Sequence, residues 1–147
     1  MDADLILAIL HHLLVFSLMA MLAVELTLLR PGLSPSALRT LGGVDGGYGV
    51  VAGLIIVVGI LRVIFGAKGW GYYLDNWAFW AKMASFAVVG LLSIPPTLAI
   101  LRWRKNRKSD PACALPDGEI ASMRRFLLAE AVLFLLIPSF AAIMARL

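Results

Sequence analysis

Four long apolar segments run along the chain, separated by shorter stretches rich in proline, glycine or charge. A helix that crosses the hydrocarbon core of a bilayer needs about 20 mostly apolar residues, and each segment comes close to that length. The predicted spans cover residues 5–29, 48–65, 77–103 and 126–146. The pattern therefore predicts an all-α fold, an integral membrane four-helix bundle.

The connections between the spans differ in charge. Residues 30–47 and 104–125 hold most of the cations, whereas the connection between spans two and three is short and aromatic. Because cationic loops stay on the cytoplasmic side of a membrane, we expect both termini on the periplasmic side. Residues 104–125 then form a cytoplasmic loop, and the protein lies in a bacterial inner (cytoplasmic) membrane.

Prolines and glycines inside the spans predict local features. Pro95, Pro96 and Pro138 each remove a backbone donor, so we expect them to distort spans three and four. Gly49 and Gly53 form a GxxxG pattern, which favours close approach of a second helix.

Composition narrows the class of protein. The chain has 147 residues, of which 61% are apolar and 15% charged, and its mean hydropathy is +0.91. A soluble domain has about 25% charged residues, so this chain has too few charges to cover a water-facing surface. Residues 1–147 read as a single transmembrane domain in a lipid bilayer, with no room for a soluble catalytic domain or a nucleic-acid reader. The one cysteine, Cys113, excludes an internal disulfide and cysteine-based metal centres.

A few ionisable residues fall inside the predicted spans. Each costs about 2.5–3.5 kcal/mol to insert, which makes it a functional candidate by default. They are His11, His12, Glu25, Arg62, Lys82 and Glu130. The direction of each span places His12, Arg62 and Lys82 in the periplasmic leaflet.

This first group has the composition of a ligand site. A neutral imidazole and a lysine do not neutralise each other, so we expect an anionic or metal-centred ligand such as b-type haem or another porphyrin. His12 is the preferred axial metal ligand, with His11 as the alternative, because a helix turns about 100° between neighbours. Lys82 is a second ligand or anion partner, and Arg62 and Lys68 are partners for propionates. His12 and Lys82 are the candidate catalytic residues.

A second group of polar residues is expected in the cytoplasmic leaflet. Glu25 and Glu130 lie there, and Asp45 and Tyr48 stand at the entrance to span two. One interpretation is structural pairing with neighbouring cations, and the other is a proton relay. The cations within reach are Arg30, Arg124 and Arg125.

Several stretches carry a resemblance to known proteins. The chain resembles a family of bacterial four-span inner-membrane proteins of unknown function in HHLLVFSLMAMLAVEL, DGGYGVVAGLIIVVGILRVIFGAKGWGYY and NWAFWAKMASFAVVGLLSIPPT. More remotely, a histidine early in span one and an aromatic-plus-lysine start to span three are similar to HemJ-type protoporphyrinogen oxidases and copper-resistance D membrane proteins. The HemJ-type resemblance implies haem binding and activity at His12 and Lys82.

Three functions remain open at this stage. The leading hypothesis is a membrane protein that binds haem or a related tetrapyrrole in the periplasmic leaflet and supports redox or porphyrin-oxidation chemistry. A second is a non-catalytic accessory subunit of a larger membrane complex. A third is a small proton-linked transporter, a homodimer that uses Glu25, Glu130 and Arg62.

Overall fold

A computed structural model describes residues 2–147, and helices make up most of that range. The helices are α1 (Ala3–Leu28), α2 (Pro35–Phe65), α3 (Gly69–Leu74), α4 (Trp77–Ser109), α5 (Asp117–Phe134) and α6 (Leu136–Met144). Four units are long and apolar enough to cross a membrane, namely α1, α2, α4 and the consecutive pair α5–α6. The prediction of an all-α membrane protein with four spans is confirmed.

The four spans pack as a ring. Helix α1 contacts α2 and α5, and α4 contacts α2, α5 and α6, so α2 and α5 stand at opposite corners. The short helix α3 contacts α2 and α4. We call the half of the bundle that contains both chain ends the terminal half, and the half that contains the α1–α2 and α4–α5 connections the loop half.

Helix α2 begins well before the predicted span, at Pro35 rather than at residue 48. Ser34 caps it, because its hydroxyl oxygen accepts a first-turn backbone N–H at 3.1 Å, and proline is preorganised for the first helical position. Leu38 and Leu41 are buried in the core. Capping and burial therefore make a helix of a segment whose prolines and glycines suggested a loop.

The predicted loop 104–125 is also largely helical. Helix α4 continues to Ser109 and α5 begins at Asp117. Arg107 fastens the connection by donating two hydrogen bonds to backbone carbonyls within it, at 2.6 and 2.9 Å. Hydropathy predicts the residues at which a helix leaves the hydrocarbon core of the bilayer. Helices α4 and α5 both extend beyond those residues.

The prolines act differently in the two spans. Helix α5 ends at Phe134 and α6 begins at Leu136, so the fourth span is interrupted. Pro138 explains the interruption, because its ring nitrogen cannot donate to the carbonyl of Phe134 and its ring crowds that carbonyl. Helix α4, in contrast, runs through Pro95 and Pro96 without a break.

Small residues mediate contact at a different position from the one expected. Gly49 and Gly53 are exposed, and apart from the adjacent backbone of α2 no described atom lies within 4 Å of the place where a Cβ would stand. At Gly47 a Cβ would lie 3.3 Å from the Met21 side chain. The close approach of α1 and α2 therefore uses Gly47, and the GxxxG pattern mediates no contact within residues 2–147.

Two side chains of α5 make polar contacts with the end of α1 and with the α1–α2 connection. The Arg124 guanidinium of α5 donates to the carbonyls of Leu26 and, at 2.9 Å, Leu29, where α1 ends. The backbone N–H of Gly32 donates to the Asp117 carboxylate at 3.1 Å. The α1–α2 connection is thus held against the start of α5.

The outward face of the bundle is apolar. Phe16, Leu91 and Val132 expose 70%, 64% and 67% of their surface. Such side chains stand free on every span, as expected for helices that face lipid. The protein is a multi-pass membrane protein in a bilayer environment.

Candidate functional site

A cavity of about 500 Å³ opens in the terminal half, between side chains of α1, α2, α3, α4, α5 and α6. Three of its lining residues carry basic groups, namely His11, Arg62 and Lys82. The lining includes no aspartate or glutamate. The cavity therefore combines a largely apolar wall with unopposed positive charge.

Of the two adjacent histidines, His11 is the one that faces the cavity. Its Nδ1 atom is buried and has no hydrogen-bond partner among the described residues. Its ring lies over Gly59, where a Cβ would be 3.7 Å from the ring. His12 is exposed on the outside of α1, and its Nδ1 donates to the carbonyl of Ala8 at 2.6 Å. The residue preferred from the sequence thus lies away from the cavity.

Arg62 and Lys82 come to the cavity from α2 and α4. The Nε atom of Arg62 is buried without a partner among residues 2–147, and the Lys82 ammonium lies 5.7 Å from the centroid of the Phe79 ring. Among residues 2–147, the one salt bridge joins Arg102 and Glu119. Neither Arg62 nor Lys82 therefore pairs with a carboxylate of that range.

Aromatic rings form much of the wall. Tyr73 and Phe79 meet edge to face with centroids 5.7 Å apart, and Phe79 and Trp80 meet in the same way at 5.3 Å. The remaining aromatic lining residues are Trp70, Phe86 and Phe134. Interlocked rings of this kind hold one another in place, so the wall is preformed.

Lys68 lies outside the cavity lining. It is exposed and donates to the Tyr72 hydroxyl at 3.0 Å, and that hydroxyl donates in turn to the carbonyl of Met144. Asn76 donates to the same carbonyl at 3.4 Å. These hydrogen bonds hold the end of α6 against α3 and the start of α4. Lys68 therefore contributes to the packing of these helices at the terminal end of the bundle.

A second polar group lies inside the loop half. Tyr48 donates to Oε2 of Glu130 at 3.2 Å, which joins the opposite corners α2 and α5, and Thr97 of α4 donates to Oδ1 of Asp45 at 2.8 Å. Glu25 of α1 is close enough to Asp45 and Glu130 for their charges to interact. We call these five residues the acidic cluster; every span contributes to it.

The expected pairing of this cluster with arginine is not found. Arg124 binds backbone carbonyls at the end of α1, and Arg30 and Arg125 are exposed. Oε1 of Glu25 and Oε1 of Glu130 are buried without a partner among residues 2–147. Within the same residues, no three histidine, cysteine or acidic side chains are arranged to hold a metal ion.

The sequence alone does not single out some residues of the two sites. Thr97 is one, because a threonine within an apolar span is common and often bonds only its own helix. Phe79 and Phe86 are others, since aromatic residues near a predicted interface read first as a headgroup belt. Only the three-dimensional arrangement distinguishes such residues from their neighbours.

Comparison with known proteins places the chain in a family. A family model described as "Predicted membrane protein (DUF2214)" matches residues 3–146. No curated protein and no solved structure matches the chain. The comparisons do not show the remote similarity to HemJ-type and copper-resistance D proteins. A match over almost the whole length establishes that the chain belongs to the DUF2214 family of membrane proteins.

Proposed function

We propose that the protein binds a tetrapyrrole, b-type haem or a related porphyrin, in the cavity of the terminal half. One observation carries the proposal: the imidazole of His11, whose buried Nδ1 has no hydrogen-bond partner among residues 2–147, lines the same cavity as Arg62 and Lys82. The excess of cations in the loop-half connections supports a position of this cavity in the periplasmic leaflet.

The charge of the cavity selects an acidic ligand. Arg62 and Lys82 each carry an insertion cost of about 2.5–3.5 kcal/mol, and no carboxylate of the described chain offsets it. Carboxylates form short, charge-assisted hydrogen bonds with guanidinium and ammonium groups. A porphyrin with two propionates can therefore supply what Arg62 and Lys82 lack.

The shape and the donor set also fit. The cavity volume of about 500 Å³ lies within the range of about 300–1,000 Å³ for ligand pockets, and rings such as Tyr73 and Phe79 offer flat surfaces to a macrocycle. Imidazole is the commonest protein ligand of haem iron, and His11 presents one. Haem, when bound, supplies one-electron redox chemistry. The chain's own residues hold it, pair its propionates and keep it from water.

A visible spectrum of the purified chain tests the proposal. We expect haem absorbance after expression with added haem, and saturable binding when haem is titrated into the apoprotein in detergent. His11→Ala should weaken binding by at least tenfold, whereas His12→Ala should bind as the wild type does. These two variants remove the same side chain from neighbouring positions on α1, so the comparison isolates the cavity.

A second matched pair tests the charge argument. Lys82→Met should weaken haem binding, and Lys68→Met, which removes the same charge outside the cavity, should not. A wild-type chain that shows no haem absorbance and no saturable binding refutes the proposal. So does loss of binding in His12→Ala with binding retained in His11→Ala.

A further inference from the structure

The carboxyl groups of the acidic cluster in the loop half have no cationic partner among residues 2–147. Glu25 is only 2% exposed and Glu130 only 1%. Tyr48 and Thr97 each donate to one carboxyl oxygen, of Glu130 and Asp45 respectively. Oε1 of Glu25 is buried and has no hydrogen-bond partner among residues 2–147.

No cation of residues 2–147 supplies the missing charge. Of the two arginines of α5, Arg125 is exposed, and the guanidinium of Arg124 is engaged by the carbonyls of Leu26 and Leu29. The ionisable groups close enough to interact with Glu25 are Asp45 and Tyr48 from α2 and Glu130 from α5, with Thr97 of α4 bonded to Asp45. Burying a carboxylate without a compensating partner is costly. A proton or another cation from outside residues 2–147 would offset that cost.

We propose that the acidic cluster binds one exchangeable cation, a proton or an alkali-metal ion, with Glu25 as its principal ligand. The free oxygens of Glu25 and Glu130 and the remaining lone pairs of the Tyr48 hydroxyl are oxygen donors of the kind that small hard cations and protons accept. Within residues 2–147 no three acidic, histidine or cysteine side chains form a metal-binding group, so the proposal is limited to a singly charged ion and does not extend to a divalent metal.

The proposal does not depend on the tetrapyrrole. The acidic cluster lies in the opposite half of the bundle, and none of its residues lines the cavity. Glu25→Gln is therefore expected to bind haem as the wild type does. Failure of one proposal leaves the other standing.

Infrared difference spectroscopy of carboxyl groups tests the cation site, with the full chain purified and placed in lipid nanodiscs. In one arm, choline is exchanged for Na⁺ at constant pH and ionic strength. In the other, the pH is lowered in choline buffer alone. We expect a carboxyl signal in at least one arm that disappears in Glu25→Gln. The control Glu119→Gln should retain it, because Glu119 pairs with Arg102 outside the cluster.

The two arms separate the two cations. A signal on adding Na⁺ identifies an alkali-metal ion, and a signal only on lowering the pH identifies a proton. Tyr48→Phe, which removes one hydrogen bond and keeps the ring, should shift the half-saturating cation concentration by about tenfold. If the carboxyl difference spectrum of the wild type is the same as that of Glu25→Gln in both arms, Glu25 binds no exchangeable cation and the proposal is overturned.

Discussion

Arg124 fastens two spans together, and its removal should destabilise the protein strongly. The last carbonyls of a helix have no partner within the helix. At the end of α1, Arg124 of α5 supplies donors to two of them, the carbonyls of Leu26 and Leu29. It also brings positive charge to the negative end of the helix dipole.

The size of the effect follows from these contacts. A hydrogen bond to a charged group contributes about 1.5–3 kcal/mol. One guanidinium nitrogen of Arg124 serves both acceptors and the residue is half-buried, so we expect Arg124→Ala to lower the free energy of unfolding by about 3 kcal/mol, at the lower end of the sum. That corresponds to about a hundredfold change in the unfolding equilibrium. Arg124→Lys should lower the free energy of unfolding by a smaller amount than Arg124→Ala, because lysine keeps the positive charge but lacks the planar guanidinium group.

The neighbouring arginine provides a matched control. Arg125 is exposed and makes neither of these contacts, so Arg125→Ala should change the unfolding free energy by no more than about 0.5 kcal/mol. Both variants remove one cation from the same connection, and any effect on membrane orientation is shared. The assay is reversible unfolding in mixed detergent micelles followed by circular dichroism. Equal losses for Arg124→Ala and Arg125→Ala would refute the assignment of Arg124 as the tie between α1 and α5.

Three further features of the fold can be tested by substitutions in the same unfolding assay. Gly66→Ala should cost about 1–3 kcal/mol, because its Cβ would lie 2.2 Å from a backbone oxygen, whereas Gly49→Ala, with nothing nearby, should be neutral or slightly stabilising. Ser34→Ala should cost about 1 kcal/mol through loss of the α2 cap, and restoration by Thr would confirm the cause. Asp117→Ala should cost about 1 kcal/mol by freeing the Gly32 N–H; an unchanged stability would show that the bond does not hold the connection.

The sequence predicts the four spans well because hydrophobicity is a local property of each segment. It predicts the helix ends poorly, since a helix can leave the hydrocarbon and continue in water. The start of α2 depends on a cap at Ser34 and on burial of Leu38 and Leu41. The first can be read from a short motif, but the second requires knowledge of which helices meet.

The sequence predicts which types of residue form the site, but not which of the two adjacent histidines faces the cavity. An apolar background makes His11, Arg62 and Lys82 conspicuous, and the direction of each span predicts that they share a leaflet. The rotation of α1 about its axis, which decides between His11 and His12, depends on how α1 fits against α2 near Gly59. No pattern within one helix encodes that fit.

Basic and acidic side chains occupy opposite halves of the interior of this bundle. Arg62 and Lys82 lie in one half, and Glu25, Asp45 and Glu130 lie in the other. A charge that crosses the full bilayer exchanges about 2.3 kcal/mol with each 100 mV of membrane potential, and a ligand ion that travels part of the way exchanges a fraction of it. An anion bound in the terminal half and a cation bound in the loop half would each oppose the protein's internal dipole. Occupancy of both sites would then respond to membrane voltage, which an enclosed site in a soluble protein cannot do.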